Sequence, residues 1–97
     1  MYDLTAFQRD VLYVLAGIDE AYGLKIKSEL EDYYGGEVNH GRLYPNLDDL
    51  VERGFVEKGQ IDRRTNSYEL TTAGREALDA RRDWEAQYLD EFEPVTA

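Results

Sequence analysis

The chain has 97 residues, enough for one domain with a single modest core, and no apolar run long enough to span a membrane. It lacks cysteine, which excludes disulfides, thiolate metal sites and thiol redox sensing. Acids outnumber bases by 21 to 11, for a net charge of −10, and the one histidine, His40, leaves little for metal or acid–base chemistry near neutral pH.

The first predicted element is a helix announced by Thr5-Ala6-Phe7-Gln8, a capping box in which Thr5 and Gln8 each satisfy a free backbone N–H. Phe7, Val11, Leu12, Val14, Leu15 and Ile18 then recur at helical spacing as a buried stripe, and Gly17 is placed to end the helix. A second helix follows Tyr22-Gly23, with Ile26, Leu30 and Tyr33 expected inward and Lys25, Lys27, Glu29 and Glu31 outward; Gly35-Gly36 ends it. Asn39 is a suitable N-cap for a third helix, whose Leu43, Leu47, Leu50 and Val51 share one face. Pro45 removes one hydrogen bond from that helix, and Gly54 caps its end. Two strand-like runs, Phe55 to Gln60 and Ser67 to Leu70, flank a polar tip from Ile61 to Asn66. Thr71 or Thr72 caps a last helix from about Ala73 to Phe92, stopped by Glu93-Pro94. The fold class is mainly α with a small β-hairpin (α+β).

A short helix, a glycine stop and a hairpin are how a winged helix-turn-helix presents a recognition helix to DNA, and the charge distribution agrees with that use. Residues 1–38 carry three bases against eight acids, as do residues 69–97, whereas residues 39–68 carry five of each. Only the segment suited to approach phosphate is spared the negative excess. Its helix is divided again: Asn39, His40, Gly41, Arg42 and Asn46 lie in the N-terminal half, Asp48, Asp49 and Glu52 in the C-terminal half. An inserted helix N-terminus offers free N–H groups and a positive dipole end to DNA. Arg42 suits guanine there and Asn46 adenine. Small Gly41 and Pro45 could let backbone approach DNA closely. Tyr44 stands between core packing and a phosphate hydrogen bond, and His40 sits at the helix start near phosphate. Arg63 and Arg64 at the hairpin tip are either a solvated turn or a contact to minor groove or phosphate; Lys27 and Lys58 complete the candidate DNA-binding set.

The scattered acids, with only Lys25, Lys27 and Lys58 as lysines, fit a protein working in molar salt, where screening shortens the Debye length to about 3 Å, better than an ordinary acidic mesophilic protein. Such a protein is expected to show a flattened or reversed salt dependence of DNA binding, since acids facing DNA need cations between them.

Tyr22-Gly23-Leu24-Lys25-Ile26, Gly41-Arg42-Leu43-Tyr44-Pro45-Asn46-Leu47, Leu50 to Val56 with Gly54, and Tyr68-Glu69-Leu70-Thr71-Thr72-Ala73-Gly74-Arg75 resemble the PadR family of transcriptional regulators over roughly residues 5–90. The resemblance implies a winged helix-turn-helix, homodimers formed through the C-terminal helix, and inverted-repeat operators, usually bound as a repressor in the cytoplasm. A single C-terminal helix is similar to the short subgroup, and the acidity to a haloarchaeal member such as a regulator of the response to reactive oxygen species. Arg42 departs from the family, in which a small hydroxyl residue is common at that place.

On this reading residues 1–71 form the DNA-binding unit and residues 72–97 the dimerisation helix and tail. Ala77, Ala80, Trp84, Tyr88 and Phe92 are the candidate dimer interface, because a partner helix is the economical way to cover the aromatics of one helix of about twenty residues; the alternative is a helix folded back on its own domain. A small aromatic or cationic effector near Trp84 and Tyr88 is implied by the family; interface packing alone also accounts for them. No cofactor is called for. The other reading is a winged-helix interaction module that binds protein instead of DNA. An enzyme is disfavoured, since no nucleophile–base pair or metal-ligand spacing is present.

Overall fold

The computed structural model describes residues 1–95. Its elements are α1 (Ala6–Gly17), α2 (Gly23–Tyr34), α3 (His40–Glu52), β1 (Val56–Asp62), β2 (Thr65–Leu70) and α4 (Thr72–Leu89), in the expected order. The capping box forms as read: Thr5 Oγ1 accepts from Gln8 N at 3.1 Å, and Gln8 Oε1 accepts from Thr5 N at 3.2 Å. Asn39 caps α3 and Thr71 caps α4 through their side-chain oxygens. Gly54, at φ 84°, takes the left-handed conformation just past α3, which only glycine adopts without strain.

The apolar stripes of the first three helices meet in one core. Leu12, Ile26, Leu30, Leu43, Leu47 and Leu50 are fully buried there, so truncating any one to alanine should cost about 2–5 kcal/mol. Helix α1 is the central strut, touching α2, α3, α4 and β2. The antiparallel hairpin joins this core through Val56, Tyr68 and Leu70, and a lone bridge from Tyr22 to Ser67 adds a third, minimal strand.

Two motif glycines are explained by contact. A Cβ on Gly23 would lie 2.0 Å from the Tyr44 hydroxyl, so the start of α2 is open to let Tyr44 cross it. A Cβ on Gly74 would lie 2.3 Å from the Phe55 carbonyl oxygen, so α4 can only begin this close to the hairpin with glycine there. Thr71 ties the same corner by donating to the Gly54 carbonyl at 2.6 Å.

Three expectations are corrected. Tyr33 is not inward but 80% exposed, because the last turn of α2 runs past the core; its neighbour Tyr34 is the one that leans back, toward Phe7 and Asp10. The strands reach further into the tip than expected, leaving only Arg63 and Arg64 as the turn. Helix α4 ends at Leu89, before Phe92.

Candidate nucleic-acid interface

Helix α3 buries Leu43, Leu47 and Leu50, which turns Gly41, Pro45, Asp48 and Glu52 to solvent on the opposite face. The N-terminal part of that face therefore presents almost bare backbone. Pro45 has no N–H to give the Gly41 carbonyl, and since both residues are exposed, solvent or a ligand can satisfy that oxygen instead. The loss costs less here than in a buried helix.

The flanks of this bare patch carry the side chains. On one flank Tyr44 stacks on His40, with ring centroids 5.6 Å apart and planes 11° from parallel. On the other, the Arg42 guanidinium lies over the Phe7 ring of α1, 4.1 Å from its centroid. Asn46 is half-buried between α3 and α1, with both ends of its amide engaged. The C-terminal acids are partly neutralised: Arg53 binds Asp49 at 2.9 Å, and Lys58 stands 3.9 Å from Asp48. Lys27, expected on the phosphate side, instead pairs with Glu31 at 2.8 Å. Glu31 also accepts the Val38 N–H at 2.9 Å, and these two donors, Lys27 first, hold its carboxyl below the usual carboxylate range. Lys27 thus anchors the loop that leads into α3.

The wing tip is built for exposure. Neither arginine takes a positive φ, so the turn is not of the mirror-image types that best match strand twist. The register slips between Gln60 and Asp62 instead, a bulge that twists the tip. The Asp62 carboxylate accepts the Arg64 N–H at 2.9 Å and is held below its ordinary range by that bond. Among the described residues, Arg42, Arg63 and Arg64 enter no ion pair. Between the wing and the start of α2, with Tyr44 reaching in from α3, runs a groove of about 440 Å³ walled by Tyr22, Tyr44, Ile61 and Arg64 together with the acids Glu20 and Asp62. The first turn of α2 opens on it through Gly23 and Leu24, and Tyr22, its N-cap, makes no side-chain bond to that turn.

At the far end, α4 seats Gly74 and Leu78 against the core and then leaves it. Ala77 is half-buried and Ala80 exposed, while Trp84, Tyr88, Leu89 and Phe92 are all exposed. Trp84 and Tyr88 meet edge-on at 5.2 Å, Arg81 covers the Trp84 ring at 4.6 Å, and Tyr13 of α1 adds a further exposed aromatic ring to the surface. Among the described residues no helix is long and apolar enough to cross a membrane.

Three helices, a hairpin wing and a fourth helix leading away define a winged helix-turn-helix protein of the transcription-regulator class. The family of PadR-like transcriptional regulators is matched over residues 11–80, and the chain belongs to it. This family is not enzymatic. RosR of Halobacterium salinarum, in a crystal grown from NaBr, is 54% identical, with 94% of this chain and 82% of that one covered and a TM-score of 0.88. RosR in the hsRosR-S1 complex is equally identical over 93% of this chain and 80% of that one, at a TM-score of 0.89. MarR is 26% identical over 94% of this chain and 66% of that one, at a TM-score of 0.63. A comparison with curated proteins found no match.

Proposed function

We propose that this transcriptional regulator is a homodimeric repressor that binds an inverted-repeat DNA operator in a high-salt cytoplasm. The observation that carries the reading is the groove between the wing and the first turn of α2, where Tyr44 of α3 and Arg64 face a common space whose acids, Glu20 and Asp62, molar salt would screen from phosphate. A sugar–phosphate strand laid there would set the N-terminal half of α3 in the major groove and Arg63 and Arg64 at the flanking minor groove or phosphates. Asn39, His40, Gly41, Arg42 and Tyr44 then form the reading edge. Asn46, Lys27 and Lys58 serve it from behind, through the bonds they make within the protein.

Residues 1–71 are the DNA-binding unit in this reading, and α4 with the tail from 72 to 97 is the dimerisation element, meeting its copy through Ala77, Ala80, Trp84, Tyr88 and Phe92. Two-fold symmetry would place two α3 helices about one DNA turn apart. The similarity to RosR supports a role in a haloarchaeal stress response, and Met1, the sole methionine, makes direct sulfur oxidation an unsuitable signal. The test is a gel shift at molar KCl with the variant carrying Arg42→Ala, Asn46→Ala, Arg63→Ala and Arg64→Ala. Loss of binding by at least about a hundredfold is expected. Wild-type affinity in this variant would refute DNA reading by this surface.

A further inference from the structure

Gln8 is the one buried polar residue among those described, 5% exposed, and its capping role uses only half of its amide. The other half crosses to the recognition helix: Nε2 donates to Asn46 Oδ1 at 3.1 Å and to Asp49 Oδ2 at 2.8 Å. The orientation of each amide is fixed by a neighbour of single polarity. The Thr5 N–H can only donate, so it faces the Gln8 carbonyl; the Asp49 carboxylate can only accept, so it faces the Gln8 amine. That amine fixes Asn46 Oδ1 toward α1, and the Arg42 carbonyl, an acceptor 2.7 Å away, fixes Asn46 Nδ2. The chain continues through Asp49 to Arg53, and through Arg53 to Asp3 at 3.3 Å.

The neighbouring residue of α1 acts on the same helix, since Phe7 supports the Arg42 guanidinium. Two consecutive side chains of α1 thus hold two consecutive turns of α3 in rotation about its axis. Apolar packing of Leu43, Leu47 and Leu50 fixes which face is inward but tolerates small rolls; hydrogen bonds of fixed polarity do not. A base-reading helix needs the finer control, because bidentate contacts to base edges fail with small angular errors.

We propose that Gln8 is a positioning residue for sequence recognition, setting the roll of α3 through Asn46 and Asp49 without touching DNA itself. The inference rests on the DNA-reading function above. Gln8→Glu separates its two roles: the carboxylate still accepts the Thr5 N–H, but it has no donor for Asn46 and repels Asp49.

Selection from a pool of random-sequence duplexes at molar KCl first yields the wild-type motif; if wild type enriches none, DNA reading itself fails and this inference with it. Binding of the selected duplex is then compared with that of a scrambled duplex of equal composition. For Gln8→Glu the preference ratio should fall about tenfold, with affinity for the scrambled duplex changed less than about threefold. A merely structural role would lower both affinities together, and an unchanged ratio in folded Gln8→Glu overturns the proposal. Gln8→Glu combined with Asp49→Asn swaps donor and acceptor at the 2.8 Å contact and keeps the test alive if the single variant does not fold. Because the double variant restores the Asp49 contact but still offers no donor to Asn46, its ratio should recover only in part; a folded double variant with the full wild-type ratio also overturns the proposal, since the Asn46 bond would then be dispensable.

Discussion

The two ends of this molecule are finished in different ways. At the recognition end, polar side chains that could wander are held within the chain: Gln8 on Asn46 and Asp49, Lys27 on Glu31, Arg53 on Asp49 and Asp3. At the distal half of α4, rings are left without cover; Tyr88 is 67% exposed and Phe92 62%. The first end is complete in one copy, which suits the proposed DNA-reading surface, since a surface already rigid loses less on binding. The second end exposes a run of aromatic area, the face that the proposed homodimer would cover. The acidity of the chain follows the same division, sparing the recognition segment and loading both flanks.

The largest effect that could break this comparison lies at the exposed end. In the reading as a homodimer, Trp84→Ala with Tyr88→Ala should raise the dimer dissociation constant at least about a hundredfold by sedimentation, since central aromatics dominate such interfaces. The same variant should keep its melting transition at high protein dilution, because those rings contribute little to one copy. A variant that stays dimeric would place the interface elsewhere. Next in size is the joint between the two ends. Gly74→Ala drives a methyl toward the Phe55 carbonyl oxygen and Leu70, so α4 must back away from the hairpin. A loss of about 2 kcal/mol, or roughly 10 °C in melting midpoint, is expected. Gly36→Ala, which meets nothing within 4 Å, should change stability by less than about 1 kcal/mol and serves as the control.

Local chemistry was legible in the residues; what lies across a gap was not. The Thr5 and Gln8 box, the Asn39 and Thr71 caps and the stop at Gly54 all act within a few positions, so the order of the elements and the helix ends at these residues followed from them. Tyr33 shares the helical phase of Ile26 and Leu30, yet phase says only which way a side chain points, not whether a neighbour covers it, and α1 leaves it 80% exposed. The β-propensity of the wing could not reveal that the pairing runs on past a bulge at Ile61 to the Arg63-Arg64 turn. Likewise Arg42 carries no mark of resting on Phe7, nor Gln8 of reaching α3, because those contacts span 35 to 41 positions of chain. The one available signal was an amide at the third position of a helix, and its capping role already accounted for it.

A smaller effect probes the seam between α1 and α2 behind the recognition helix. The Tyr34 hydroxyl donates to Asp10 at 2.5 Å, and burial, followed by that carboxylate, pushes its pKa up to about 12 from 10.0. The folded state therefore holds the phenolic proton more tightly than the unfolded chain does. The contribution is fully present below pH 10 and is lost as pH rises through about 12. Tyr34→Phe should melt roughly 2 °C below wild type at pH 8, a modest gap because the ring is more than one-third exposed and the bond is screened. The two curves should converge as pH approaches 12, since wild type then loses what the variant never had. Tyr13 and Tyr68 are also raised by burial, so both proteins will lose stability in alkali; only the difference between them reports on Tyr34. A gap that stays constant from pH 8 to pH 12 would show that the Asp10 bond does not hold the two helices together.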